Sequence, residues 1–72
     1  MSKLPILSGS EVVAILVHLG YSIRDQKGSH IHLRHLSRKP LTIPNHKEIA
    51  RGTLRQILRD AGIAVHEFQK LM

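Results

Sequence analysis

Three short runs between residues 21 and 44 alternate apolar with polar side chains, and only a few residues separate each run from the next. Such alternation indicates β-strands with one buried and one solvated face. Connections this short cannot hold the crossover that parallel strands require, so we expect an antiparallel meander. The predicted strands are 21–26, 29–35 and 40–44, with a tight turn at Lys27 and Gly28.

Helical signals lie on both sides of the meander. Before it, Ser8 and Glu11 match a capping box, apolar residues from Val12 to Leu19 recur at helical spacing, and Gly20 suits a left-handed helix end. The pattern therefore predicts a well-buried first helix over residues 9–19.

A second helix is predicted after the third strand and a loop. Thr53 and Gln56 form another capping-box pattern there, and Gly62 supplies the stop. A short last helix is predicted from three apolar residues at helical spacing, which are Val65, Phe68 and Leu71.

This order of elements predicts a single domain over residues 1–72 of the α+β class. The expected arrangement is α-β-β-β-α, as in double-stranded RNA-binding domains, with a three-stranded antiparallel sheet and the helices on one face. The other sheet face is then open to solvent. Fold-level analogy of this kind does not establish a function.

The open face is predicted to display basic side chains. If Ile31 and Leu33 face the helices, alternation places His30, His32 and Arg34 on the solvated side. Strict alternation in the neighbouring strands adds Arg24 and Thr42 to this side. Within the second strand itself, His35 falls on the side of Ile31, near the strand end.

Charge indicates the class of partner. Eleven Lys and Arg against five Asp and Glu give the chain a net charge of +6, which attracts polyanions or acidic proteins. Aromatic residues make up only 3% of the chain, so platforms for base stacking are lacking and binding should depend on backbone charge and shape. The predicted RNA contacts are Arg24, Lys27, Ser29, His32, Arg34, Arg38, Lys39, Arg55 and Arg59.

Histidines on such a face could either move protons or bind a metal. RNA carries its own nucleophile, the 2′-OH, and His30 on a phosphate-binding patch suits its deprotonation or the protonation of the leaving oxygen. A zinc site would need His30 and His32 with a third ligand from His46 or Glu48. The positive surroundings and the lack of cysteine disfavour that site, so no metal cofactor is expected.

The sequence carries no sign of export. Without cysteine it can form no disulfide, which fits a reducing compartment. The longest apolar run, Val12 to Val17, is far shorter than the roughly 20 residues of a membrane span, and the N-terminal segment is too short for a secretory signal. We therefore expect a cytoplasmic protein that does not associate with membranes.

Several motifs together resemble a known family. The stretches "GSEVVAILVHLGYSIRDQKGSHIHLRH", "TIPNH", "RGTLRQILRDAGI" and "EFQKLM" are similar, in this order, to the HicA toxins of bacterial type II toxin–antitoxin systems. The most specific pieces are the "GSH" element that contains His30, Pro44 followed by His46, and Gly52-Thr53-Leu54 at the start of the long helix. The resemblance spans nearly the whole chain.

This resemblance implies a metal-independent mRNA interferase that arrests growth and is neutralised by a HicB antitoxin. It implies that His30 is catalytic and that His46 matches a second histidine of the family. The glycine-rich stretch that often follows this second histidine is replaced here by "KEIA". The role of His46 therefore stays open between a second proton carrier and a structural residue.

Two other functions fit the composition. A basic RNA- or DNA-binding module without catalysis would bind in a salt-sensitive way and cleave nothing. A pure interaction module for an acidic protein would show no affinity for nucleic acid. The "GSH" element on an exposed face favours the ribonuclease, because binding alone does not require it.

Overall fold

The computed structural model describes residues 4–72. Along this part of the chain the elements are α1 Gly9–His18, β1 Ser22–Lys27, β2 His30–Arg34, β3 Leu41–Pro44, α2 Arg51–Ala61 and α3 Val65–Lys70. The strands form an antiparallel sheet in the order β1-β2-β3. This architecture confirms the predicted α+β fold.

Helix α1 begins as the capping box predicts. The Ser8 hydroxyl accepts a hydrogen bond from the backbone N–H of Glu11 at 3.1 Å, and the Ser8 N–H donates to the Glu11 carboxylate at 2.8 Å. Gly20, at a φ of 105°, follows the helix end. The apolar face is narrower than expected, because Val17 is 45% exposed and Ala14 also faces solvent.

Helix α2 begins three residues earlier than its predicted capping box implies. Its first residue is Arg51, and the capping residue Ala50 offers no side chain for the first turn. The predicted capping box at Thr53 and Gln56 is therefore wrong, since Thr53 already lies within the helix. The physical reason lies just upstream, where Ile49 pairs with Leu7 and ends the loop at that point.

The predicted end of α2 is confirmed, and the predicted short last helix is present. Gly62 adopts a left-handed conformation with a φ of 78° and closes α2. Helix α3 follows, and Glu67 accepts a hydrogen bond from the Ala64 N–H at 3.1 Å, which satisfies one free donor at the helix start. Phe68 of α3 is fully buried.

One core lies between the helices and one face of the sheet. Leu33 and Ile43 enter it from the sheet, Leu16 from α1 and Leu54 from α2. The segment before α1 also contributes, because Leu4 and Leu7 are buried. This segment pairs with the loop after β3, so the N-terminal residues of the described chain complete the fold.

The helices cover the sheet unevenly. Both α1 and α2 pack over β3, at one edge of the sheet. Ile23 of β1 pairs with Leu33 and so faces the helical side, but it is 59% exposed because β1 is the opposite edge strand. The prediction that each strand has one buried face therefore fails at Ile23.

In the part of the chain that the structure describes, no helix packs on the opposite face of the sheet, as predicted. Within residues 4–72, none of the helices is both long and apolar enough to cross a bilayer.

Candidate functional site

The solvated face of the sheet, called the open face below, is defined by the strand register. From β2 it displays His30, His32 and Arg34, and from β3 it displays Thr42 opposite His32. These four positions agree with the prediction from alternation. Pro44 pairs with His30 at the end of β3.

Strand β1 departs from strict alternation. Ile23 pairs with Leu33, but Asp25, two residues on, pairs with the adjacent residue His32. Arg24 is therefore the extra residue of a β-bulge. After the bulge the faces exchange, so Asp25 and Lys27 lie on the open face while Gln26 pairs with Ile31 on the helical side.

This bulge corrects one expectation. Arg24 is the unpaired residue of the bulge, and its Nε contacts the open-face carboxylate of Asp25 at 3.2 Å. Strict alternation would place Asp25 on the helical side together with Ile23, and it lies on the open face instead. The order of polar and apolar residues in this segment gives no sign of a one-residue bulge. The sequence alone therefore did not identify Asp25 as a candidate site residue.

Asp25 and His32 form the closest polar contact of the open face. The Oδ1 atom of Asp25 lies 2.5 Å from Nδ1 of His32, and the two side chains are 39% and 27% exposed. This hydrogen bond is the main cause that lowers the pKa of Asp25 below its ordinary value, with a smaller contribution from Arg24. The carboxylate is therefore ionised at neutral pH and can only accept hydrogen bonds.

His30 lies at the start of β2, beside the hairpin turn. Lys27 pairs with His30 across a two-residue connection, in which Gly28 has a φ of 59° and Ser29 does not have a positive φ. A glycine at the first loop position is typical of the type II′ turn. The His30 side chain is exposed, and no hydrogen bond to it is present among the described residues.

His46 lies at the same end of the sheet as His30. Asn45 donates a backbone hydrogen bond to Ser29 at 2.6 Å, so the loop that carries His46 leaves the sheet beside the hairpin turn. The His46 carbonyl accepts a hydrogen bond from the Gly9 N–H at 2.8 Å. The backbone of His46 thus anchors the loop to α1, while its side chain is exposed.

His35 has a structural position, in contrast to the histidines of the open face. Its Nδ1 accepts hydrogen bonds from the backbone N–H groups of Ser37 and Arg38, at 3.0 and 3.2 Å. Its Nε2 therefore carries the proton and donates to the Leu19 carbonyl at 3.0 Å. The ring also packs edge-on against Tyr21, with 4.8 Å between the centroids.

The other predicted RNA contacts are divided between two regions. Lys27, Ser29 and Arg34 are exposed on or beside the open face. Arg55 and Arg59 lie on the flank of α2, where they border a groove that leads to α3. The open face and this groove are on opposite layers of the molecule.

Arg38 is not part of the open face. Its Nη1 donates to the Ala61 carbonyl at 2.8 Å and reaches the Gly62 carbonyl at 3.5 Å, so the guanidinium closes the C-terminal end of α2. The prediction of Arg38 as a free RNA contact therefore conflicts with its position. Lys39, the next residue, is exposed, and its carbonyl accepts a 2.7 Å hydrogen bond from the Tyr21 hydroxyl.

Potential metal ligands are not grouped. Across residues 4–72, no cluster of three or more His, Cys, Asp or Glu side chains is arranged to hold a metal ion. What the open face brings together is a histidine with a free side chain, a carboxylate–histidine pair and cationic side chains. Such groups can bind a phosphate and transfer protons.

Comparison with known proteins identifies the family. The family model for the HicA toxin of bacterial toxin–antitoxin systems matches residues 9–63, which include the whole sheet and α2. In a solved toxin–antitoxin complex from Streptococcus pneumoniae, one chain is 34% identical to this protein. The match covers 79% of this chain and 98% of that chain, with a TM-score of 0.70. Among curated proteins, none matches at a significant level. The chain therefore belongs to the HicA toxin family.

Proposed function

We propose that this toxin is a metal-independent endoribonuclease that arrests growth by cleaving mRNA. The observation that carries the proposal is the position of His30, which is exposed, has a free imidazole, and lies on a cationic face beside Lys27. Histidine is the side chain best suited to transfer protons near neutral pH. Membership of the HicA family supports the same activity.

The expected reaction uses the 2′-OH of RNA as the nucleophile. The oxygen attacks the adjacent phosphorus, the bond from phosphorus to the 5′ oxygen breaks, and a 2′,3′-cyclic phosphate and a 5′-hydroxyl result. One group must accept the 2′ proton and another must donate a proton to the 5′ oxygen. His30 takes one of these roles, and His46, at the same end of the sheet, is the second candidate that the family pattern offers.

Phosphate binding falls to the cationic side chains near His30. Arg34 and Lys27 are exposed on the open face, and Arg24 lies at its rim. A guanidinium can bind a phosphate with two parallel hydrogen bonds, whereas an ammonium acts as a point charge. Arg55 and Arg59 would contact only an RNA that continues around the molecule to the groove beside α2.

The test is cleavage of RNA by purified protein in the presence of EDTA. The parent protein is expected to release products ending in a 2′,3′-cyclic phosphate, and His30→Ala to be slower by about 100-fold or more. His66→Ala removes an exposed histidine from α3 and serves as the matched control. Equal cleavage by parent and His30→Ala would contradict the assignment, and binding without cleavage would indicate a non-catalytic RNA-binding module.

We also propose that an acidic antitoxin of the HicB type covers the open face and blocks His30. The solved neighbour is itself part of a toxin–antitoxin complex, and a net charge of +6 favours rapid association with an acidic surface. Carbethoxylation of histidines, read by mass spectrometry, tests this arrangement. In the complex His30 should be protected, while a His30 that reacts as fast as in the free toxin would contradict the proposed interface.

A further inference from the structure

The centre of the open face is occupied by His32, not by His30. His32 lies on the middle strand, with Asp25 facing it from β1 and Thr42 facing it from β3. Along β2 its neighbours on the same face are His30 and Arg34. A phosphate bound at the middle of this face would therefore lie against His32 and its neighbouring side chains.

The hydrogen bond with Asp25 determines which ring nitrogen of His32 carries the proton. An ionised carboxylate only accepts hydrogen bonds, so Nδ1 must donate to Oδ1 across the 2.5 Å contact. In the neutral ring, Nε2 then has no proton and presents a lone pair. Nδ1 is engaged by the carboxylate on the β1 side, which leaves Nε2 available to a bound ligand.

Comparison with His35 shows that this arrangement is not that of a structural histidine. Both ring nitrogens of His35 are engaged by backbone groups, through Leu19 on one side and Ser37 and Arg38 on the other. For His32, only Nδ1 has a hydrogen-bond partner among residues 4–72. The ring is held in place at one nitrogen and is free to react at the other.

The remaining charged groups around His32 are mostly cationic. Lys27 lies diagonally opposite His32 on β1, and Arg34 lies two residues further along β2. Arg24, the extra residue of the bulge, contacts Asp25 through its Nε. His30 is the other titratable group beside it, and the helices pack on the opposite face of the sheet. Asp25 is therefore the single acidic group that faces His32 in the described chain.

We propose that His32 is the general base of the RNA cleavage reaction, that Asp25 is its positioning residue, and that His30 is the general acid. This inference rests on the proposed ribonuclease function. The carboxylate orients the ring and stabilises the imidazolium that forms when Nε2 accepts a proton, as a buried aspartate does in serine proteases. His30 has no such partner among the described residues and is the group left to protonate the leaving oxygen.

The spacing of the two histidines suits this division of roles. His30 and His32 are two residues apart on one strand face, so their Cα atoms are separated by about 7 Å. The gap leaves room for a phosphate between the rings, with a proton carrier on either side.

The two histidines transfer protons in opposite directions during the reaction. Nε2 of His32 accepts the proton of the 2′-OH as the bond from O2′ to phosphorus forms. His30 in its protonated form gives a proton to the 5′ oxygen as the bond from phosphorus to that oxygen breaks, so the number of protons on the protein is unchanged.

A modified substrate separates the base from the acid. In an RNA with a 5′-bridging sulfur at the scissile bond, the leaving group is a thiolate, which departs without a proton. A protein that lacks its general acid regains activity on this substrate, whereas a protein that lacks its general base does not. We therefore compare oxygen and sulfur substrates for the parent, His30→Ala, His32→Ala, His46→Ala and Asp25→Asn, with His66→Ala as the control.

The expected results are specific to each variant. His32→Ala loses about 100-fold or more in kcat on both substrates, and His30→Ala loses a similar factor on the oxygen substrate but approaches the parent on the sulfur substrate. Asp25→Asn lowers kcat with little change in KM. ¹⁵N NMR of the imidazoles should show the proton of His32 on Nδ1 in the parent.

Other outcomes would overturn the inference in distinguishable ways. If the parent cleaves RNA but His32→Ala is equally fast, or if sulfur rescues His32→Ala, His32 is not the general base. If Asp25→Asn leaves kcat unchanged, or if the proton of His32 in the parent is not on Nδ1, Asp25 has no positioning role. If His46→Ala loses kcat on both substrates while His32→Ala does not, the second proton carrier is His46. A parent that cleaves no RNA would remove the proposed function itself.

Discussion

At the scale of single residues, Gly9 shows how closely the N-terminal end of α1 approaches the end of β3. A β-carbon added to Gly9 would lie 2.2 Å from the carbonyl oxygen of Pro44 and 2.9 Å from the Cα atom of Asn45. Both obstacles belong to the backbone and cannot rotate away. The same glycine donates its N–H to His46, so this contact also anchors the loop beside the hairpin turn.

Gly9→Ala should therefore destabilise the protein although alanine is the better helix former. Forcing a methyl group against backbone atoms costs about 1–3 kcal/mol of unfolding free energy. Gly52→Ala is the matched control, because Gly52 also lies in the first turn of a helix and a β-carbon there meets nothing within 4 Å. We expect this control to be neutral or up to about 1 kcal/mol more stable. Urea unfolding of both variants measures the difference, and equal stabilities would contradict the prediction.

At the scale of elements, the two long helices are capped by different means. At α1 the cap comes from residues close in sequence, Ser8 and Glu11. At α2 the N-terminal end has no side-chain cap, and the C-terminal carbonyls are bound by Arg38, which is 23 residues away from Ala61. The position of α2 is thus coupled to the connection between β2 and β3.

Arg38→Ala should reduce stability through the end of α2. The variant leaves the Ala61 carbonyl without its charged donor, and a hydrogen bond of this kind contributes about 1–3 kcal/mol. Lys39→Ala removes the same charge from an exposed neighbour and should change the unfolding free energy by no more than about 0.5 kcal/mol. Thermal unfolding of the two variants under identical conditions makes the comparison. Similar losses in both would show that Arg38 contributes only general surface charge.

The cap of α1 should make stability depend on acid. The hydrogen bond from the Ser8 N–H is the main cause that lowers the pKa of Glu11, so its pKa in the folded chain is below the ordinary value of about 4.3. A lowered pKa stabilises the fold above this ordinary value, and the contribution is lost as the pH falls through the pKa of the folded state. Parent protein should therefore be more stable than Glu11→Gln at pH 7, with the difference vanishing near pH 2. A difference that is constant with pH would contradict this account.

Sequence patterns predicted most of the elements, and the errors have physical causes. Alternation placed β2 and β3 correctly because each pairs without interruption. In β1 the bulge at Arg24 moved the residues that follow it to the opposite face of the sheet. Nothing in the order of polar and apolar residues marks such an inserted residue. The capping box at Thr53 matched a local rule, but the pairing of Ile49 with the N-terminal segment started α2 earlier. The contacts of Ile49 with Leu7 and of Arg38 with Ala61 join residues that are far apart in the sequence, so no local sequence pattern predicts them.

The same distinction applies to the candidate site. His30 follows from the sequence because its face is determined by its neighbours in a regular strand and because the family motif includes it. The pairing of Asp25 with His32 needed the three-dimensional register of two strands. Sequence reasoning alone treated His32 as one of several RNA contacts.

At the scale of the whole molecule, positive charge is present on both layers. The open face carries Arg34 and Lys27, and the helical layer carries Arg59 and Lys70 among others. A net charge of +6 draws RNA to the chain from any direction, so affinity alone does not identify the bound surface. The salt dependence of binding can identify it, because each phosphate contact releases condensed counterions.

Arg34→Ala should reduce the salt dependence of RNA binding, whereas Lys70→Ala should not. Loss of one phosphate contact lowers the slope of log Kd against log salt by about one unit. Both variants lose one positive charge, so they differ only in the layer from which it is removed. Fluorescence anisotropy with a short single-stranded RNA at several salt concentrations gives the slopes. A larger change for Lys70→Ala would place the RNA on the helical layer.

The bulge at Arg24 also affects how copies of the protein meet one another. In the described sheet β1 is an edge strand, and the exposed Ile23 gives this edge an apolar side chain against which another strand could pack. A long, regular edge strand with apolar side chains is a template on which another chain can add a strand and begin to aggregate. An extra residue in the middle of β1 breaks the even spacing of its free backbone groups and twists the strand. The residue that turns Asp25 towards His32 thus also acts against edge-to-edge self-association of the toxin.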